Sequence, residues 1–283
     1  MMLNENTNAK VLTNSELIAK VPMAFANAPT APMSDRYVFI PTTTIIEDMA
    51  KMGWQPVLAT GKGKRRNAKR KSSFHLIAFE NEAPEFQITN NNTGLTEAKV
   101  RIIVTNSHDG TSSFGFHIGI FRLICENGLV ISTKTFSEIK VRHINYDFET
   151  LRGVVATTTE QIPNEIAAFN AMRERTMKED EQKELAVNAL KIRKGMELTD
   201  TLNVDEETVS DLLEPKREED KGNDLWSIYN VLQEKVIKGG TILAVDGKKP
   251  RKMRGIKSAM KDLSINKRLF ETAYAYVGDA VAA

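Results

Sequence analysis

Four histidines, one acidic turn and two dense cationic stretches are the residues whose types and spacing invite chemistry. His75, His108, His117 and His143 are the only histidines, and Asp109 follows His108 directly. Imidazole and carboxylate groups gathered by a fold can hold a divalent metal or run acid–base steps. The spacing argues against this: no two histidines are four residues apart, and there is no His-x-Glu or Cys-x-x-Cys motif. Ser107 beside His108 is not a hydrolase signature, because a triad is defined by geometry rather than adjacency. His108-Asp109-Gly110 reads instead as turn chemistry, with Asp capping and Gly at positive φ. Gly61-Lys62-Gly63-Lys64 lacks the spacing of a phosphate-binding loop. No catalytic residue, metal ligand or cofactor is predicted, and the chain is read as a binding protein rather than an enzyme.

The cationic stretches point to a polyanion. Seven of the ten residues 62–71 are basic: Lys62, Lys64, Arg65, Arg66, Lys69, Arg70 and Lys71. Such dense charge repels itself unless a polyanion neutralises it, and it would release counterions from phosphates without reading sequence. The plainer reading is a solvated tip that keeps a hairpin edge soluble. A second block holds Lys248, Lys249, Arg251, Lys252, Arg254, Lys257, Lys261, Lys267 and Arg268, the first six of them the candidate nucleic-acid contacts. Whole-chain charge is only +2, yet residues 160–224 carry 10 Lys/Arg against 18 Asp/Glu (net −8) and residues 234–268 carry 11 against 3 (net +8). The plainer role of the second block is pairing with the acidic helices before it. Tyr229, Phe270, Tyr274 and Tyr276 lie near it and could stack on bases, although aromatics at helical spacing are more often core.

The elements that must position these residues change type along the chain. Residues 99–132 read as an antiparallel meander, because Asp109-Gly110 and Asn127-Gly128 are strong turn signals between segments rich in Val, Ile and Phe. Strands are also predicted over residues 37–40, 54–59, 74–80, 86–89 and 137–145, with a long hairpin tip at 61–73. Glycines 115 and 119 within a strand mark a bulge or a close approach. Thr13 and Thr42 open short helices, the second ending at Gly53. From about Thr157 the pattern turns helical: a stop at Gly195, a short helix around Val209 and Leu212, a charged linker at 216–224, a helix over 224–238 ended by Gly239-Gly240, a basic loop at 246–255, and a final helix over 256–276. On the helix over 224–238, Leu225, Ile228, Leu232 and Val236 form the packing stripe, and Trp226, Tyr229 and Gln233 form a second stripe free to meet another element, another subunit or a base. The fold class is α+β, an antiparallel sheet followed by helices. Expected segments are a disordered start (1–12), a β-rich core (13–156), an acidic helical segment (157–222), a basic helical segment on the core (223–277) and a tail (278–283). No run of eighteen apolar residues exists, and the first ten residues lack a signal-peptide core. A single cysteine, Cys125, excludes an internal disulfide and is read as buried and apolar, so a cytoplasmic location and no membrane contact are expected.

Several phrases resemble one family when taken together. They are Ser34-Asp35-Arg36-Tyr37 with Ile40-Pro41-Thr42, Gly53-Trp54, His75, Asn106-Ser107-His108-Asp109-Gly110, the run from Phe121-Arg122 to Leu129, and Val141-Arg142-His143. Trp226 to Glu234, Gly239-Gly240 and Ile265-Asn266-Lys267 follow. Over roughly residues 14–276 the chain resembles the uncharacterised family called domain of unknown function 932. The resemblance implies a protein of a phage or plasmid in a bacterial host and no reaction. His75, His108, Arg122, Arg142 and His143, with Trp226, Tyr229 and Gln233, form a candidate functional surface. The expected function is nucleic-acid binding, to DNA or RNA. By analogy of fold alone, the act is single-strand binding or annealing. The alternative is an interaction protein that modulates a host defence or host enzyme, and a metal-dependent nuclease is the weakest reading. A second copy of the chain and a host protein are candidate partners.

Overall fold

The computed structural model of this chain describes residues 10–29, 33, 37–61, 73–89, 96–110, 112, 114–122, 139–141, 148–160 and 162–279. The chain divides into two compact units, the first ending at Ile162 and the second beginning at Pro163. The division into an antiparallel sheet first and helices second is that of an α+β protein, as read from the sequence.

In the first unit, α1 (Asn14–Lys20) opens with a capping box. Glu16 N donates to the Thr13 hydroxyl at 3.3 Å, and Thr13 N donates to the Glu16 carboxylate at 2.8 Å. Helix α2 (Thr42–Lys51) starts after Pro41, whose fixed φ suits that place. Its buried stripe is Ile45, Ile46 and Met49, and Gly53 at φ +83° takes the left-handed turn that ends it.

The sheet is built from β1 (Gln55–Gly61), β2 (His75–Glu80), β3 (Gln87–Thr89), β4 (Thr96–Asn106), β5 (Phe114–Arg122) and β6 (Ile139–Val141). Every pairing is antiparallel, in the order β1-β2-β4-β5-β6, with β3 on the start of β4. Alternation along the strands gives two faces. Ile77, Phe79, Val100, Ile102, Val104, Phe114 and Phe116 line one, all buried. The other carries an ion cluster in which Glu80 and Lys99 are buried and Glu82 is exposed. Arg101 Nε donates to Glu80 at 2.6 Å, directly across the β2–β4 ladder, and Lys99 reaches Glu82 at 3.0 Å and Glu80 at 3.6 Å. Gly115 sits on this second face. A Cβ there would come within 3.1 Å of Thr105 Oγ1 and 3.2 Å of His117 Nε2, so the close approach expected in this strand is that of the neighbouring His117 ring. Residues 37–40 join no ladder among the described residues, contrary to the predicted strand, because Ile40 O accepts from the Asn106 side chain at 3.3 Å instead. Helices begin at α3 (Phe148–Glu160), earlier than Thr157.

The second unit contains α4 (Ile162–Glu174), α5 (Glu179–Lys194), α6 (Glu206–Leu213), α7 (Leu225–Lys238) and α8 (Ala259–Asp279). Helix α7 lies at its centre, packed by α5, α6 and α8. Asp224 caps it, accepting from Ser227 N at 3.0 Å. Residues 216–224 are a strap rather than a linker. Arg217 forks onto Glu234 at 2.9 and 3.3 Å and also reaches Asp220 at 3.1 Å, and both carboxylates are buried. No helix among the described residues is long and apolar enough to cross a membrane.

Candidate functional site

The first part of the second basic block is a built hairpin, and its last three cations, Lys261, Lys267 and Arg268, lie in α8. Helix α7 ends at Gly239 (φ +75°), and the chain turns into β7 (Ile242–Leu243), which pairs with β8 (Arg251–Lys252). Val245-Asp246-Gly247-Lys248 makes the turn: Lys248 N donates to Val245 O at 3.0 Å, with Asp246 at φ +53° and Gly247 at φ +64°. Positive φ at both central residues is the turn that matches the twist of a two-stranded ribbon. The far side of β7 is tied to residues 203–205. Asp205 N donates to Ala244 O at 3.2 Å, Asp246 N to Asn203 O at 2.9 Å, and Ala244 N to Thr208 Oγ1 at 3.0 Å. At the base, Gly240 N donates to Met253 O and Met253 N to Thr241 O, at 2.9 and 2.8 Å. The ribbon is therefore held at both ends.

Its base tolerates no side chain at Gly239. A Cβ there would lie 2.5 Å from the Met253 carbonyl oxygen, and the positive φ adds strain. Gly239→Ala is expected to cost at least about 1–3 kcal/mol, read from the urea midpoint. A loss below about 0.5 kcal/mol would show that the base rearranges freely.

Lys248, Lys249, Arg251, Lys252, Arg254 and Lys257 are all exposed, and none forms an ion pair with a described carboxylate. The expected pairing with the acidic segment is met further along the block, where Arg268 reaches Glu197 at 3.5 Å, and not by these six. The other basic stretch, with Lys62, Lys64, Arg65, Arg66, Lys69, Arg70 and Lys71, lies outside the described residues, as do Cys125, Arg142 and His143. Arg122 ends β5, and its side chain is likewise outside them.

The remaining candidate residues are buried, which corrects their place on a functional surface. Trp226, Tyr229 and Gln233 are 4%, 0% and 2% exposed. The Trp226 ring meets Phe169 edge-on at 4.6 Å, Tyr229 meets Phe270 at 5.9 Å, and Gln233 Nε2 donates to Asn266 Oδ1 at 2.9 Å. The stripe is occupied by α4 and α8, so it is core. Burial pushes the Tyr229 hydroxyl far up, and burial also raises the neighbouring Asp262 carboxyl to about 6. Of the other aromatics named for stacking, Phe270 is buried and Tyr274 lies stacked on it at 5.8 Å.

His75 and His108 are 1% and 0% exposed and meet in a polar cluster that sequence reasoning missed. The cluster gathers Thr42 at the start of α2, Ser73 and His75 at the start of β2, and Asn106 to Asp109 at the end of β4. His75 Nδ1 lies 2.7 Å from Ser73 O, which only accepts, so this nitrogen bears the proton. Its Nε2 then accepts from the Thr42 hydroxyl at 2.8 Å. That hydroxyl has one hydrogen, so it accepts from Asn106 Nδ2 at 3.0 Å and from His108 Nε2 at 3.3 Å. Ser73 Oγ accepts from His108 N at 2.6 Å, and Asp109 Oδ2 accepts from Ser73 N at 3.0 Å. The Phe39 ring covers His108 at 4.7 Å. Asp109 thus spans to β2 rather than capping only its own turn, while Gly110 does take positive φ, at +68°.

Hydroxyl, imidazole and carbonyl in line are the parts of an activated nucleophile. Burial lowers the His75 pKa to about 4, so the ring is neutral near pH 7, and Thr42 is 1% exposed. A base without access to substrate acts as a structural polar knot, and we assign it that role. Among the described residues no group of three or more His, Cys, Asp or Glu is placed to hold a metal ion. The signal that could have found the cluster is the set of matched phrases: Ile40-Pro41-Thr42, His75 and Asn106 to Gly110 converge on it, as Gln233 and Asn266 converge in the second unit.

Comparison with known proteins gives the family. The model of the domain of unknown function DUF932 matches residues 30–269. The chain is 31% identical to UPF0380 protein YafZ of Escherichia coli (strain K12), over 93% of this chain and 91% of that protein. It is 32% identical to UPF0380 protein YfjQ of the same strain, over 81% and 78%. No solved structure matches. The chain belongs to the DUF932 family.

Proposed function

We propose that this is a nucleic-acid-binding protein of a phage or plasmid that grips phosphates without reading sequence. The observation that carries the reading is the ribbon: six exposed cations, none ion-paired with a described carboxylate, four of them on a hairpin held at both ends and two, Arg254 and Lys257, just past its base. Holding like charges together opposes folding through mutual repulsion, and a polyanion relieves it. Because the backbone is fixed, little ordering entropy is lost on binding. The seven cations of residues 62–71 add a second cationic stretch of the same character.

The test replaces Lys248, Lys249, Arg251, Lys252, Arg254 and Lys257 together by Gln. Affinity for fluorescein-labelled DNA is followed by anisotropy across a salt series. The expected loss is on the order of 100-fold or more, and the slope of log affinity against log salt should flatten by roughly 0.7–0.9 for each phosphate contact removed. A second variant, with Lys62, Lys64, Arg65, Arg66, Lys69, Arg70 and Lys71 changed to Gln, reports on the other stretch. If both variants keep the affinity and slope of the parent, the reading is wrong.

A further inference from the structure

The ribbon's geometry points beyond phosphate binding in general, and we infer that its outer edge seats in a groove of duplex DNA. This rests on the nucleic-acid reading above and names the ligand of the same site. Strand β8 is the outer strand, since β7 is held on its other side by residues 203–205. Arg251 and Lys252 are consecutive in β8, so their side chains leave opposite faces, and both are exposed. Cations on both faces of one outer edge suit a ligand that supplies phosphates on two sides. A duplex groove has two phosphate walls, and the major groove, about 12 Å wide, admits a β-ribbon.

A single strand asks for something else: a cationic track with aromatic faces on which bases stack. Residues 241–257 contain no aromatic side chain. Ile242, opposite Lys252 and 61% exposed, supplies an apolar contact on the Lys252 face but no stacking surface. The ribbon therefore favours a duplex over a single strand and discriminates little among sequences.

Arg251→Gln, Lys252→Gln and the double variant test this by anisotropy, with a mixed-sequence duplex of about 20 base pairs and one of its strands as probes. Lys20→Gln, an equal loss of charge in the first unit, is the control. The parent should bind the duplex at least about 10-fold tighter than the strand. Each ribbon variant should lose about 3- to 10-fold on the duplex and flatten its salt slope by about 0.9, with a smaller change on the strand and none in the control. Equal parent affinity for both probes, with both weakened alike by the variants, overturns the groove and leaves the phosphate-binding reading standing. Duplex binding that neither substitution alters places the contact elsewhere and also overturns it. Binding to neither probe removes the groove and the nucleic-acid reading together. Unchanged melting temperatures confirm that the variants are folded, as expected for exposed positions.

Discussion

Trp226→Ala is expected to destabilise the helical unit by about 3–5 kcal/mol, at least as much as Leu232→Ala. Trp226 is 4% exposed and wedged between Phe169 and Tyr229, and Leu232 is fully buried on the adjoining stripe of α7. Truncating the indole removes edge-to-face and stacked contacts and leaves a large cavity beside the central helix. Urea unfolding followed by far-ultraviolet circular dichroism reads the loss. A Trp226→Ala protein that keeps its midpoint but loses a ligand would restore this stripe as a binding surface.

The second large effect is acid destabilisation through His75. Its pKa falls from 6.5 in the unfolded chain to about 4 in the folded protein, because the ring is buried. Above pH 6.5 the ring is neutral in both states, so pH has no effect through it. Between 6.5 and about 4 the unfolded chain holds a proton that the folded protein does not, so stability falls as pH falls and levels off below about 4. The total is about 3 kcal/mol, from the roughly 1.4 kcal/mol carried by each pKa unit. Carboxylates titrate in the same range, so the informative quantity is the stability difference between the parent and His75→Gln. It should narrow by about 3 kcal/mol from pH 6.5 to pH 4. Parallel profiles would mean that His75 is already solvated or charged in the native protein.

The sheet was legible because period-two alternation of Val, Ile and Phe survives along β2, β4 and β5 and an Asp-Gly turn separates the last two. The same Asp-Gly signature at 246–247, after Thr-Ile-Leu-Ala-Val, marks the ribbon turn, yet this stretch reads as a basic loop because its lysines dominate the composition. Its backbone pairing involves two residues in each strand, too few for alternation to register. Helix α7 misleads for a different reason. A helix packed on several sides buries polar residues such as Asn230 and Gln233, and an amphipathic reading assigns those to solvent. The Thr42 knot was illegible locally, since its members lie on separate elements and only the ladder register brings them together. The exposed cations of the ribbon were the part of the candidate site that composition alone could name.

The bond from Thr42 to His75 spans 33 residues of chain and that from Thr42 to His108 spans 66, so a single hydroxyl ties off two large loops. Closing a loop costs conformational entropy that grows slowly with length, about 0.6 kcal/mol for each doubling. The β1–β2 and β4–β5 ladders join strands that follow one another in the chain, so they can form before either loop closes. The knot is therefore expected to close late in folding, as the N-terminal segment arrives on a sheet already paired. The amide hydrogens of Ser73 and His108, bonded to Asp109 and to the Ser73 hydroxyl, should exchange with solvent only when the whole sheet unit opens.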